Sequence, residues 1–184
     1  ISRLVDSLGG SFGAQASGDW ITVTAFVLAR DFDTGVDLVA QSLREPTFPA
    51  EEVDRIRTEI LGGIEASEEE PGYIAARAFA RALFGDAPYG HPSEGTADSV
   101  RGISRDDIVA FHRREMRPAG TICAVVGDVA PERMRAAMAG ALEGWQAEFE
   151  PYVAPTASVK PAGKISVDRP TAQANIILGH LGVE

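Results

Sequence analysis

The sequence predicts an α+β domain, an antiparallel sheet with its helices grouped rather than alternating with strands. Three observations predict it. Two β-rich segments, Ser11 to Ser17 and Trp20 to Leu28, meet at the turn signal Gly18-Asp19. Several helical patterns then follow in succession. The chain closes on two further short β-type segments, near Lys164 to Val167 and Gln173 to Leu178. Hairpin strands followed by grouped helices argue against a doubly wound parallel sheet.

The elements follow in order. Ser2 to Leu8 is in helical register, and Gly9-Gly10 stops it. After the hairpin, Val36, Val39, Ala40 and Leu43 mark one face of a helix from Asp33 to Leu43. Pro46 and Pro49 break the chain. From Ala50 to Ser67, Val53, Ile56, Ile60, Leu61 and Ile64 predict an amphipathic helix. Within it, Gly62 and Gly63 each cost about 1 kcal/mol relative to Ala. A third helix is expected from about Gly72 to Leu83, and a loop from Gly85 to Pro92. Ser104-Arg105-Asp106-Asp107 has capping-box form and opens a helix to about Arg117. Thr121 to Val126 reads as a fully buried strand, and Pro131 starts a helix to about Leu142. The prolines at 151, 155 and 161 make residues 146–163 a linker. The expected organisation is thus a patterned stretch over 1–145, the linker, and two short strands within 164–184.

Composition narrows the function. The 184 residues carry 17 Lys and Arg against 27 Asp and Glu, a net charge of −10. An acidic chain without a basic stripe is a poor partner for nucleic acid. No apolar run is long enough to span a bilayer as a helix. From Glu51 to Glu70 eight carboxylates face only Arg55 and Arg57, which reads as a solvated helix face. The lone Cys123 closes no internal disulfide and, in an apolar segment, reads as a small core residue. A nucleophile pair of Cys123 with His112 stands as an alternative with no supporting motif. His91, His112 and His180 show no metal-ligand spacing, so each reads as structural or exposed. No phosphate-binding glycine pattern and no GxSxG occurs. The residues alone assign no catalytic group. Both ends fall inside patterned segments, which predicts a piece of a longer polypeptide.

A set of short motifs does carry a resemblance. These are Leu8-Gly9-Gly10-Ser11-Phe12-Gly13-Ala14 into a strand, Pro46-Thr47-Phe48-Pro49-Ala50-Glu51-Glu52-Val53 into Arg55-Ile56-Arg57, and Leu83 to Gly90. Gly95-Thr96, Ile103 to Ile108, Arg117-Pro118 and Val125-Val126-Gly127-Asp128-Val129 continue it. In this order they resemble the insulinase/pitrilysin-like zinc peptidases, which include the mitochondrial processing peptidases. The resemblance implies repeated α+β domains closing over a peptide. This chain would then be the C-terminal portion of one such domain over 1–145, lacking its first strands and zinc helix, and the opening strands of the next over 164–184.

The family's HxxEH helix would lie upstream of Ile1. Its third zinc ligand, a Glu, maps to Gly63, its supporting Glu to Ile56, and a substrate-holding Asn to Gly13. Glu59 is a poor substitute, displaced from position 63 by about 40° and about 6 Å along the helix. No cofactor is therefore expected in this stretch itself, and zinc is expected only in the full protein or its partner. The resemblance implies a non-catalytic domain that helps enclose peptide or unfolded polypeptide with a homologous active subunit or second domain. Two other roles stay open: a zinc endopeptidase whose HxxEH lies upstream, and a scaffolding subunit. The expected peptide-binding edge is Ser11, Phe12, Gly13, Ala14, Gln15 and Ala16, small enough for a backbone to approach.

Overall fold

The computed structural model describes residues 2–145 and 163–180. The chain divides into two compact units, Ile1–Phe48 with Asp106–Pro151, and Pro49–Arg105 with Tyr152–Glu184. The fold is α+β, with a two-stranded antiparallel sheet among the described residues and helices grouped after it.

In the first unit, α1 (Ser2–Ser7) buries Val5 and leads into β1 (Ser11–Ala16) and β2 (Ile21–Phe26). Ser11 pairs with Phe26 and Ala16 with Ile21. The turn between the strands is held by the Ser17 hydroxyl, which donates to the Trp20 carbonyl at 3.1 Å and accepts from the Trp20 amide at 3.2 Å. A 3-10 turn at Ala29–Asp31 opens α2 (Phe32–Arg44), whose Phe32, Val36, Leu38 and Ala40 are buried. Gly35 permits the close approach of α2 to Val27: a Cβ there would lie 2.8 Å from a Val27 methyl.

α6 (Arg105–Glu115) and α7 (Pro131–Ala141) complete this unit. Arg44 donates to the Ala141 carbonyl at 2.7 Å, satisfying one of the acceptors that a helix C-terminus leaves unpaired. Arg133 reaches Asp33 at 2.9 Å and lies 5.4 Å from the centre of the Phe32 ring. His112 Nε2 sits 2.9 Å from the Leu43 carbonyl. A carbonyl only accepts, so this nitrogen carries the proton.

In the second unit, α3 (Ala50–Glu69) packs against α4 (Pro71–Phe84) and α5 (Ala97–Gly102). Ile64 and Val100 are its buried apolar anchors. Arg57 occupies the packed side of α3 and donates to the Ile103 carbonyl at 2.8 Å. The loop after α4 contains a 3-10 turn at Pro88–Gly90. Glycine is required at 90, because a Cβ would sit 2.2 Å from the Gly85 carbonyl oxygen. Thr96 and Ser99 form a reciprocal capping box at the start of α5, a short helix that the sequence reading did not separate from its surroundings.

Four expectations need correction. Thr121 to Val126 forms no strand, and Ile122 and Val126 are 92% and 99% exposed. Lys164 to Val167 and Gln173 to Leu178 are likewise not hydrogen-bonded strands. A β-type run states a preference, whereas a strand needs a partner at the right register, and none pairs with these runs among the described residues. Cys123 is exposed for the same reason and is no core residue. On α3, Ile56 and Ile60 remain 42% and 37% exposed, so the buried stripe is narrower than the apolar pattern. The expected linker, 146–163, lies outside the described residues except for Gly163.

One polar tie joins α4 to the loop before α5. The Tyr73 hydroxyl donates to Glu94 at 2.6 Å, and Ser93 donates to the other carboxylate oxygen at 3.0 Å. The Tyr73 bond, followed by the backbone bond at Glu94, holds this carboxyl below its ordinary value of 4.5. The same bond raises Tyr73 above its ordinary 10.0. For Glu94 the folded value lies below the unfolded one, so the stabilisation is complete above 4.5 and lost as pH falls through the folded value. For Tyr73 the stabilisation holds below 10.0 and is lost as pH rises through its raised value. Replacing Tyr73 with Phe should lower stability by about 1 kcal/mol at neutral pH, a charge-assisted bond discounted for partial exposure. The acid-side loss of stability should also become shallower. Urea midpoints measured across a pH series check both.

Candidate functional site

The positions that the family resemblance singles out fall on two elements, one in each unit. α3 carries Ile56 and Gly63, and β1 carries Ser11 to Ala16.

On α3, Ile56 and Gly63 are seven residues apart, about 20° apart around the axis and about 10 Å along it. They therefore share a face. Gly62 and Gly63 are both exposed, and a Cβ built at either would meet no heavy atom within 4 Å. A glutamate at 63 would have room, so the lack of a side chain there is not imposed by packing. The nearby carboxylate is committed elsewhere. Arg55 donates to Glu52 at 2.9 Å and to Glu59 at 3.3 Å. Glu52 first, with Glu59 adding, raises the Arg55 guanidinium above its ordinary value. No group of three His, Cys, Asp or Glu side chains is placed to hold a metal ion among the described residues. The residues present on this face, isoleucine and glycine, offer no donor atoms to zinc.

On β1, the register fixes which backbone groups face outward. The Ser17 amide donates to the Trp20 carbonyl at 2.9 Å, so that facing pair is hydrogen-bonded. Antiparallel pairs alternate, which makes Gln15–Thr22, Gly13–Thr24 and Ser11–Phe26 the bonded pairs. The N–H and C=O groups of Phe12, Ala14 and Ala16 therefore point away from β2. The sheet order β1-β2 leaves this edge unpaired among the described residues. Gly13 has open space at its Cβ position. Sequence reasoning marked the segment by its small residues, and the register selects alternate members of it.

The histidines do not converge. His112 is used between α6 and α2, with its ring edge-on to Phe48 at 5.5 Å. His91 Nε2 lies 3.3 Å from the Asp86 carbonyl in the loop after α4.

The space at position 63 has a measurable consequence. Gly63→Ala should raise stability by about 1 kcal/mol through helix propensity alone. Gly63→Glu should gain less, because Glu59 lies four residues earlier and like charges at that spacing cost a few tenths of a kcal/mol. Thermal unfolding of the two variants beside the parent decides the order.

The model of the family described as Insulinase (Peptidase family M16) matches residues 1–97. A relative described as an uncharacterized zinc protease of Streptomyces coelicolor is 31% identical over 100% of this chain and 41% of its own length. A peptidase M16 inactive domain from Pseudomonas fluorescens, solved by crystallography, is 32% identical. It aligns with 61% of this chain and 28% of its own, at a TM-score of 0.57. A protease from Helicobacter pylori shares the fold at 20% identity and a TM-score of 0.69, over 86% of this chain and 38% of its own. The chain thus spans well under half the length of these relatives. With the motif order, the α+β fold and these matches together, the chain belongs to the insulinase family, peptidase family M16.

Proposed function

We propose that this chain is part of a non-catalytic domain that helps to enclose peptide substrate together with an active, homologous subunit or domain. The observation that carries the reading is the α3 face. The position matched to the family's glutamate ligand is Gly63, and the supporting position is Ile56. Neither can bind zinc, and Gly63 is not crowded out of carrying a carboxylate. The likeness to a solved inactive domain at 32% identity supports the same reading. Zinc would then belong to the full protein's other parts or to the partner. The domain organisation that fits is a peptidase-like domain over 1–145 and a second one opening at 164.

A second reading is favoured by the description of the Streptomyces coelicolor relative as a zinc protease. In it, the full protein is a zinc endopeptidase, and its ligands are supplied by other segments. Elemental analysis after dialysis separates the two. In the complete domain that contains this stretch, the non-catalytic reading expects no stoichiometric zinc and no cleavage of unfolded polypeptide without a partner. About one tightly held zinc per chain, with zinc-dependent cleavage, would establish the second reading instead.

Peptide capture is assigned to the outer edge of β1, where an extended backbone can add as a further strand. Titration with an extended peptide should shift the amides of Phe12, Ala14 and Ala16 more than those of Ser11, Gly13 and Gln15. Shifts that do not follow this alternation would reject strand addition at β1.

A further inference from the structure

The second unit contains a cavity of about 630 Å³ whose lining includes neither Ile56 nor Gly63. One wall is a single stripe of α4, with Ile74, Arg77, Ala78 and Arg81 at helical spacing. Val167 and Arg169, in the extended segment that follows Gly163, also line it. His91 and Pro92 close one end. The interior is therefore apolar, and three guanidinium groups stand around it against one carboxylate, Glu68. Glu68 pairs with Arg77 and Asp86 with Arg81, which leaves Arg169 as the guanidinium without an acidic partner among the described residues.

The three arginines are not equivalent. Arg77 is 3.2 Å from Glu68, and Arg81 is tied to Asp86 and to the Gly85 carbonyl at 2.8 Å. Arg169 has no side-chain partner among the described residues. Its backbone is fixed by a turn in which the Thr171 amide donates to the Arg169 carbonyl at 2.8 Å. The Thr171 hydroxyl then donates to the Gln173 carbonyl at 2.6 Å. An unpaired guanidinium beside an apolar wall is suited to a carboxylate borne on an apolar chain. No Phe, Tyr or Trp ring lines the cavity for a base to stack on, and His91 is the one ring there, which disfavours a nucleotide.

We propose that this cavity binds a carboxylate of an extended peptide, with Arg169 as the principal contact and Arg77 and Arg81 shaping the field around it. The choice of a peptide rests on the peptide-enclosing reading above. The carboxylate itself can be a C-terminus or an acidic side chain.

Calorimetric titration of the full-length protein with three probes tests this: acetyl-Leu-Val-Leu with a free C-terminus, its C-terminal amide, and acetyl-Leu-Glu-Leu amide. Saturable binding is expected for one or both carboxylate-bearing peptides and not for the plain amide. The free-terminus peptide binding alone identifies a C-terminal site, and the Glu peptide binding identifies a side-chain site. Arg169→Gln should weaken the binding by about ten-fold or more, the loss of one charge-assisted hydrogen bond. Arg169→Lys should recover part of that loss. Arg169 is exposed, so both variants should retain the parent's circular dichroism. Equal binding of the plain amide, indifference to Arg169→Gln, or no saturable heat from any probe at millimolar concentration would overturn the proposal. Amide shifts at Phe12, Ala14 and Ala16 without change at Arg169 would also overturn it, while leaving strand addition at β1 intact.

Discussion

The contact between His112 and the end of α2 sets the course of the chain in the first unit. α2 ends at Arg44, and the segment Glu45 to Pro49 must turn before α3 can begin at Ala50. Its two prolines exclude helix, yet they do not by themselves fix a direction. Phe48 sits at φ 43°, a left-handed conformation that a residue with a Cβ adopts only when its surroundings hold it there. His112 contributes to that hold. Its ring meets Phe48 edge-on, and its Nε2–H is anchored on the Leu43 carbonyl just before the break. One side chain on α6 thus secures both the last turn of α2 and the strained residue after it.

How much of this was legible in the sequence depends on whether the information was local. The helices were legible because apolar spacing and proline placement act within a few residues. α3 and α4 meet at Glu70, with Pro71 at the first turn of α4, as an X-Pro boundary requires. The hairpin was legible for the same reason. Thr121 to Val126 was not, since its apolar run is real but no strand pairs with it among the described residues. His112 also escaped assignment: a lone histidine on a helix gives no signal of a carbonyl 69 residues away in the chain.

The α3 face shows a second limit of pattern reading. Apolar periodicity placed Ile56 and Ile60 on the packed side, and the structure puts Arg57 there instead. Arginine can do this because its long stem packs while its guanidinium reaches a backbone acceptor. The stripe then rotates, leaving the isoleucines half exposed beside the two glycines. The candidate site positions could be named from the motif resemblance, but their openness depends on how neighbouring helices pack, which no local pattern encodes.

That openness bears on why a helix would carry no carboxylate where an active relative would. A glutamate at 63 would stand one turn from Glu59, in a stretch that is already strongly acidic. With a divalent cation in place, the attraction to the metal outweighs that repulsion many times over. Without one, only the repulsion of a few tenths of a kcal/mol remains, and nothing favours the side chain. On the proposed non-catalytic reading, a domain without the metal has no reason to keep the carboxylate, and a neutral residue there costs nothing. It does not account for glycine in particular, since alanine would be the better helix former. Nothing in the surroundings of Gly62 and Gly63 explains that choice.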